Sequence, residues 1–320
     1  MKATSDRVIF LLGAGASKKA GMPLVNEFTT NLRNKLRELS SGSQRYDQIF
    51  ELIARGDPAV EDNYEEFFKY LYLLPKTQTK GLQNIVTIRP GYISLIGTAA
   101  RLCMEIGGEV KRLLQLYQRE AIYHLSYLQH FEDFLPPKGR LKIFTLNYDC
   151  CVEEACRNRI DITTGFDQNT GKWTPHLFET RKQGINLYKL HGSLRWFRKD
   201  NSLYELSFDQ DLSTITPERI DLILGPGSKL QPDDPFLTLA YEFHRALQQS
   251  EVCAVIGYGF HDRYINEMLE RAMDDGLSVL DVNPTNMWGC GHPRYHFHPA
   301  KAETTLDDGS LKEKLNKIFS

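Results

Sequence analysis

Cysteine is scarce in this chain and badly spaced for a metal or disulfide frame. The six residues stand at 103, 150, 151, 156, 253 and 290; two are adjacent and no C-x-x-C occurs. That excludes an ordinary zinc motif and a disulfide scaffold, and a reducing cytoplasm is the expected home. Long apolar runs are also missing. None approaches the ~20 residues of a membrane span, so no membrane partner is expected. The apolar run before the first glycine, Val8–Leu12, is only five residues long, so no secretory signal is expected. Charge of one sign is absent too. Lys and Arg number 39 against 41 Asp and Glu, a net charge of -2. No global basic field recommends nucleic acid, which is expected as a partner only indirectly. Repeats and low-complexity tracts are lacking.

What is present is globular. Hydrophobic residues make up 41% of 320 positions, enough for one large core or two modest ones, and charged residues make up 25%. Short branched apolar runs recur at Val8–Leu12, Leu141–Leu146, Ile185–Leu190, Leu222–Leu224, Val252–Ile256 and Leu277–Val282. Such runs predict strands buried on both faces, as in a parallel sheet. Val25, Phe28, Leu32, Leu36 and Leu39 form a helical stripe, with Pro23 suited to its first turn. Residues 64–134 carry helical faces and little strand pattern. The stripes are Phe67, Phe68, Leu71, Leu74, then Leu102, Ile106, Val110, Leu113, Tyr117, then Leu125, Leu128, Phe131. A small hairpin is expected to turn at Asp200-Asn201. The expectation is an α/β, Rossmann-like, doubly wound and mainly parallel sheet. One domain spans 1–320, with a helical insertion subdomain at about 42–138.

The chemistry concentrates in turns that follow strands. After Val8–Leu12 comes G-A-G-A-S at 13–17, then a helix start. Gly13 and Gly15 allow a tight turn, and Ala14, Ser17 and the free N–H groups of the turn suit a pyrophosphate. The hydride-transfer fingerprint needs a third glycine where Lys18 stands, and the P-loop pattern is absent. T-L-N-Y-D at 145–149 ends a strand with Thr145, Asn147 and Asp149; Asp149 alternatively caps the following helix. L-H-G-S at 190–193 puts His191 at another strand end, where a working base would stand. I-G-Y-G-F at 256–260 supplies a second glycine crossover, through Gly257 and Tyr258, and Asp262 caps the helix after it. Asp281 and Asn283 end the last strand, placed for ribose hydroxyls.

In this order the five motifs, the last being V-N at 282–283, resemble the sirtuin fold. Two departures separate the chain from sirtuin deacylases. Residues 192–252 contain no cysteine, so the family's zinc module is missing, and its P-D-F-R is replaced by Pro23-Leu24-Val25-Asn26. The pattern is similar to the zinc-less, sirtuin-like NAD hydrolases of bacterial antiphage defence. That resemblance implies cleavage of the nicotinamide–ribose N-glycosidic bond of NAD, with NAD as substrate and no metal. Asn147 would orient a water or ribose hydroxyl, His191 would act as general base, and Asp149 would polarise the nicotinamide side or fix Asn147. It also implies NAD depletion as a defence effector, acting in the cytoplasm. Control would come through a homo-oligomer or a separate partner such as a HerA-type ATPase. A non-hydrolytic NAD or ADP-ribose sensor, a protein deacylase and a nuclease subunit are the alternatives.

Cys290, His292, His296 and His298 are ligand types without a familiar frame, and alternation with Tyr295 and Phe297 fits a strand. Cys150-Cys151 opens a helix beside the expected site, which allows either a depressed thiol pKa or a buried packing role.

Overall fold

The computed structural model describes residues 7–38, 43–73, 92–180, 182–200, 202–216, 219–223 and 234–319. Its centre is a seven-stranded sheet in which every pairing is parallel. The strands are β1 (Val8–Leu12), β2 (Arg140–Thr145), β3 (Ile162–Thr163), β4 (Gly184–Lys189), β8 (Val252–Ile256), β9 (Ser278–Asn283) and β10 (Tyr295–Pro299). Their order is β10-β9-β8-β1-β2-β4-β3. On one side of β1 the chain lays β2, then the edge strand β3, then β4 between them, and it returns to β8 on the other side. The β1/β8 border is therefore the switch point, where open α/β sheets bind ligands outside their strands' carboxyl ends.

The apolar runs are continuous because both faces are covered. Val8, Phe10 and Leu12 of β1 join one core cluster, while Ile9 and Leu11 join the other. Successive side chains of a strand point to opposite faces, so a strand buried on both must be apolar throughout. The Ile9–Leu11 face is covered by α6 (Phe236–Gln249) and α7 (Arg263–Asp274). The Phe10 face meets α1 (Val25–Glu38), α8 (Ala302–Asp307) and α9 (Ser310–Phe319). The fold is thus the expected α/β, doubly wound parallel architecture.

Between α1 and β2 lie α2 (Ser43–Ala54), α3 (Tyr64–Leu73) and α4 (Tyr92–Ala121); residues 74–91 of the expected insertion lie outside the described residues. An aromatic cluster joins these helices: Phe28 meets Tyr64 at 4.9 Å and Phe50 meets Phe67 at 5.2 Å between ring centroids. Residues Ser126–Phe134 form a 3-10 helix rather than an α-helix. Leu125, Leu128 and Phe131 are three apart, the period of a 3-10 turn. That period sets Phe131 and Phe134 edge-on against Phe10, with ring centroids 5.3 and 5.2 Å away.

A second correction concerns the run expected at Leu222–Leu224, whose last residue lies outside the described residues. The strand there is β7 (Ile220–Leu222), and it belongs to a separate antiparallel sheet, ordered β6-β5-β7, with β5 (Gly192–Lys199) and β6 (Ser202–Glu205). Gly192 turns the chain out of the parallel sheet at φ +93°, where a Cβ would stand 2.5 Å from the Asp221 carbonyl oxygen. The β5–β6 pairing closes at Lys199↔Ser202, with Asp200 at φ 49°, at the expected hairpin. The two-residue β3 and its place at the sheet edge were not legible in the apolar pattern. No helix among the described residues is long and apolar enough to cross a membrane.

Candidate active site

Five turns converge at the carboxyl end of the sheet. The two glycine turns, after β1 and β8, meet backbone to backbone. A Cβ on Gly13 would stand 2.5 Å from Tyr258 Cα, and one on Gly257, whose φ is +65°, would stand 2.2 Å from the Ala16 nitrogen. Hydrogen bonds stitch the turns together. Gly13 N–H donates to Ile256 O (3.0 Å), Gly15 N–H to Gly257 O (2.8 Å), and Ala16 N–H to Gly13 O (2.9 Å). Gly13 and Gly15 therefore serve the approach of two protein turns, and their own amides are engaged inside the protein. Ala14 is half-buried in the same turn and Ser17 is buried.

Asn147 follows β2 and reaches this turn. Its amide Nδ2 donates to Gly13 O (2.9 Å) and to Ser17 Oγ (3.2 Å). The carbonyl partner fixes the amide's orientation, so Oδ1 is the atom that can accept from a hydroxyl or water. Asp149 is buried, and its Oδ1 accepts from Cys151 N–H (3.0 Å) at the start of α5 (Cys151–Cys156), whose N-cap position is Cys150 and carries no side-chain cap. Beneath this loop Lys189 is fully buried. Its ammonium donates to Glu153 Oε1 (2.8 Å) and to the Asp149 carbonyl. Burial opposes the Lys189 charge, but Glu153, with Cys150 and Asp149, outweighs it and holds the group above the ordinary lysine range. Gln118 of α4 accepts from Cys150 N–H (2.8 Å), which ties the inserted helices to the loop.

His191 follows β4, the neighbour of β2. Leu190 N–H donates to Thr145 O (2.9 Å) and Ile223 N–H to His191 O (3.0 Å), which fix the chain on either side of the ring. The imidazole is buried, 6.4 Å from the Tyr148 ring. Its Nε2 lies 3.2 Å from Asp262 Oδ2, and that carboxylate is buried as well. Leu190, Phe236, Ala240, Phe243, Tyr264, Ile265 and Met268 line a pocket with this pair. Asp262 was expected only as a helix cap, and it is one: its Oδ1 accepts from Tyr264 N–H (3.0 Å) and Ile265 N–H (3.4 Å). Its position on the β8 crossover, at the same sheet end as His191, was the available sign of a second task.

Tyr258 is buried, and its hydroxyl accepts from Asp262 N–H (3.0 Å) and donates toward Asn266 Oδ1 (2.9 Å). Next to it Phe260 adopts φ 55°, unusual for a bulky residue, with its carbonyl held by Asn266 Nδ2 at 2.8 Å. At the end of β9, Asn283 Nδ2 donates to Tyr258 O (3.0 Å) and Asp281 Oδ1 (2.6 Å). Asp281 is fully buried, and its second oxygen accepts from Tyr295 OH (2.6 Å). Burial raises the Asp281 carboxyl pKa, while the Tyr295 and Asn283 hydrogen bonds oppose the shift. Asp281, expected at a ribose hydroxyl, has no exposed surface here, and its carboxylate holds the Asn283 amide.

The depressed-thiol option for Cys150 and Cys151 is overturned. Both are buried, and burial pushes both thiols well above the ordinary range, with Asp149 and Glu153 adding to it. Among the described residues no three His, Cys, Asp or Glu side chains are grouped as metal ligands. Cys290 and His292 precede β10, which carries His296 and His298; His292 Nε2 lies 3.4 Å from Asp274.

A doubly wound parallel sheet whose glycine turns meet at the switch point defines a Rossmann-like α/β protein. Residues 141–304, just over half the chain, match the SIR2-like domain, and the chain belongs to that family. Among solved structures it is similar to a mutant Sir2 homologue in complex with 2'-O-acetyl ADP ribose. That match has 16% identity and a TM-score of 0.50, and covers 98% of this chain and 93% of the other. A Sir2 homolog–NAD complex aligns with 14% identity and a TM-score of 0.49, over 98% and 90% of the chains. No functionally curated protein matches the chain.

Proposed function

We infer that the chain cleaves the nicotinamide–ribose bond of NAD with water, giving nicotinamide, ADP-ribose and a proton. The observation that carries this reading is the pairing of Asn147 with the Gly13–Ser17 turn, one strand away from the buried His191–Asp262 couple. A binding module has no need of a buried imidazole–carboxylate pair beside its nucleotide turn. Membership of the SIR2-like family and the 2'-O-acetyl ADP ribose ligand of the similar Sir2 homologue support the same substrate class.

Ala14 and Ser17 would face the diphosphate, since the Gly13 and Gly15 amides are engaged. Asn283 would offer its carbonyl oxygen to a ribose hydroxyl, because both its amide hydrogens are taken. The nicotinamide leaves as a neutral group from a cationic ground state, so no general acid is required. What the site must supply is a placed nucleophile and a base. Asn147 Oδ1 holds the attacking water, and His191 takes its proton, a contribution of about 10²–10⁴-fold. Asp149, turned to the start of α5, holds the Asn147 loop in place.

Incubation of the purified chain with NAD, followed by separation of products, tests the reading. Nicotinamide and ADP-ribose in equal amounts are expected, and Asn147→Ala and His191→Ala should release neither while remaining folded. ADP-ribose binding without turnover would favour the sensor alternative. Control by self-assembly or by a separate activating partner, and NAD depletion as the biological effect, belong to this same proposal.

A further inference from the structure

We propose that Asp262 is the positioning residue of the base: it fixes the tautomer of His191, so that Nε2 carries the hydrogen and Nδ1 is the proton acceptor. This deepens the NAD-cleavage reading and rests on it for its catalytic consequence.

An ionised carboxylate only accepts hydrogen bonds, and a neutral imidazole carries its hydrogen on one nitrogen. Nε2 stands 3.2 Å from Asp262 Oδ2, off the alignment of a straight hydrogen bond, with both side chains buried; the lone pair of a bare Nε2 would repel that oxygen, so the hydrogen belongs on Nε2. The carboxylate is held in place by its other contacts. Oδ1 accepts two backbone N–H groups at the N-terminus of α7, a twelve-residue helix whose dipole favours an anion there. The Asp262 backbone N–H is held in turn by Tyr258 OH, and the Tyr258 backbone packs on the Gly13 turn.

One crossover therefore connects the nucleotide turn to the base. When Nδ1 takes the proton from the attacking water, the imidazolium is formed beside a fixed negative charge. Asp262 keeps its own charge throughout and touches no substrate atom. The pocket walls beside the pair, Phe236, Phe243 and Ile265 among them, are apolar, which strengthens the interaction between charges there.

The experiment uses Asp262→Asn, which keeps an acceptor at Oδ1 for the helix cap while removing the charge from the histidine. Nitrogen-15 spectra of protein labelled at its nine histidines read the tautomer, with the His191 signals identified by their absence in His191→Gln. Wild-type protein is expected to show His191 protonated at Nε2 and bare at Nδ1, and Asp262→Asn is expected to lose that pattern with its melting profile cooperative. In the NAD assay kcat should fall by about 10²–10⁴-fold with KM little changed. A wild-type hydrogen on Nδ1, or a tautomer unchanged in Asp262→Asn, overturns the proposal. So does an active wild type whose Asp262→Asn variant turns over equally fast. A wild type that leaves NAD intact overturns the glycohydrolase reading instead, and the spectra still decide the role of Asp262.

Discussion

Asn147 Nδ2 stands 2.9 Å from the carbonyl oxygen of Gly13, so the loop after β2 is locked to the turn after β1 by a side-chain amide. The amide can satisfy Gly13 only as a donor. Asn147→Asp preserves size and puts an acceptor against that carbonyl. We expect nicotinamide release to fall by at least about 10²-fold, because misplacing a reacting group by even 1 Å costs that much. The fold should lose roughly 1–3 kcal/mol from the unmatched acceptors. Product analysis and a denaturation curve on the same preparation separate the two effects. An Asn147→Asp protein as active as wild type would remove Asn147 from the mechanism.

Gly257 makes a different kind of prediction, since its task is space. A methyl group there would lie 2.2 Å from the Ala16 nitrogen, against backbone that cannot rotate away, at a φ of +65° that favours glycine. Gly257→Ala should separate the two glycine turns. Left-handed backbone alone costs a side chain about 1–2 kcal/mol. We expect a lowered melting temperature together with lost ADP-ribose binding, both measured by thermal shift with and without ADP-ribose. Retained binding with an unshifted melting temperature would show that the turns do not depend on this contact.

Much of this arrangement was legible in the residues. Continuous apolar runs such as Val8–Leu12 announce strands buried on both sides, and glycines after strands announce turns where chains approach closely. The use made of that closeness was not legible. A glycine pattern is the same whether the approaching group is a phosphate or another turn, and here the Gly13 and Gly15 amides bind the β8 crossover. Asp262 shows the same limit. Its capping role is local, set by residues two and three positions on, whereas its contact with His191 spans 71 positions and depends on the sheet's strand order. Asp281 looked polar at a strand end, yet its surroundings come from β10, which pairs with β9 only once the chain is folded.

The buried Lys189–Glu153 pair is another contact of this long-range kind, and its value is testable. Lys189→Met leaves the Glu153 carboxylate buried without its cation, which should cost about 3–5 kcal/mol of stability. Lys189→Met combined with Glu153→Leu removes both charges and should recover most of that loss. Urea unfolding of wild type and the two variants gives the comparison. If the double variant is no more stable than Lys189→Met, the ammonium's contact with the Asp149 carbonyl matters more than its pairing with Glu153.

Asp281 and Asn283 allow a cycle that tells contact from support. If Asp281 acts by orienting the Asn283 amide, then Asp281→Leu should weaken ADP-ribose binding by no more than Asn283→Ala does. The double variant should then bind no worse than Asn283→Ala alone, because a positioning residue has nothing left to position. Groups acting through one another are non-additive in this way, whereas independent contacts sum to within about 0.3–0.5 kcal/mol. Titration calorimetry with ADP-ribose measures all four affinities. Additive losses would mean that Asp281 reaches the ribose itself, through a rearrangement that uncovers a carboxylate now fully buried.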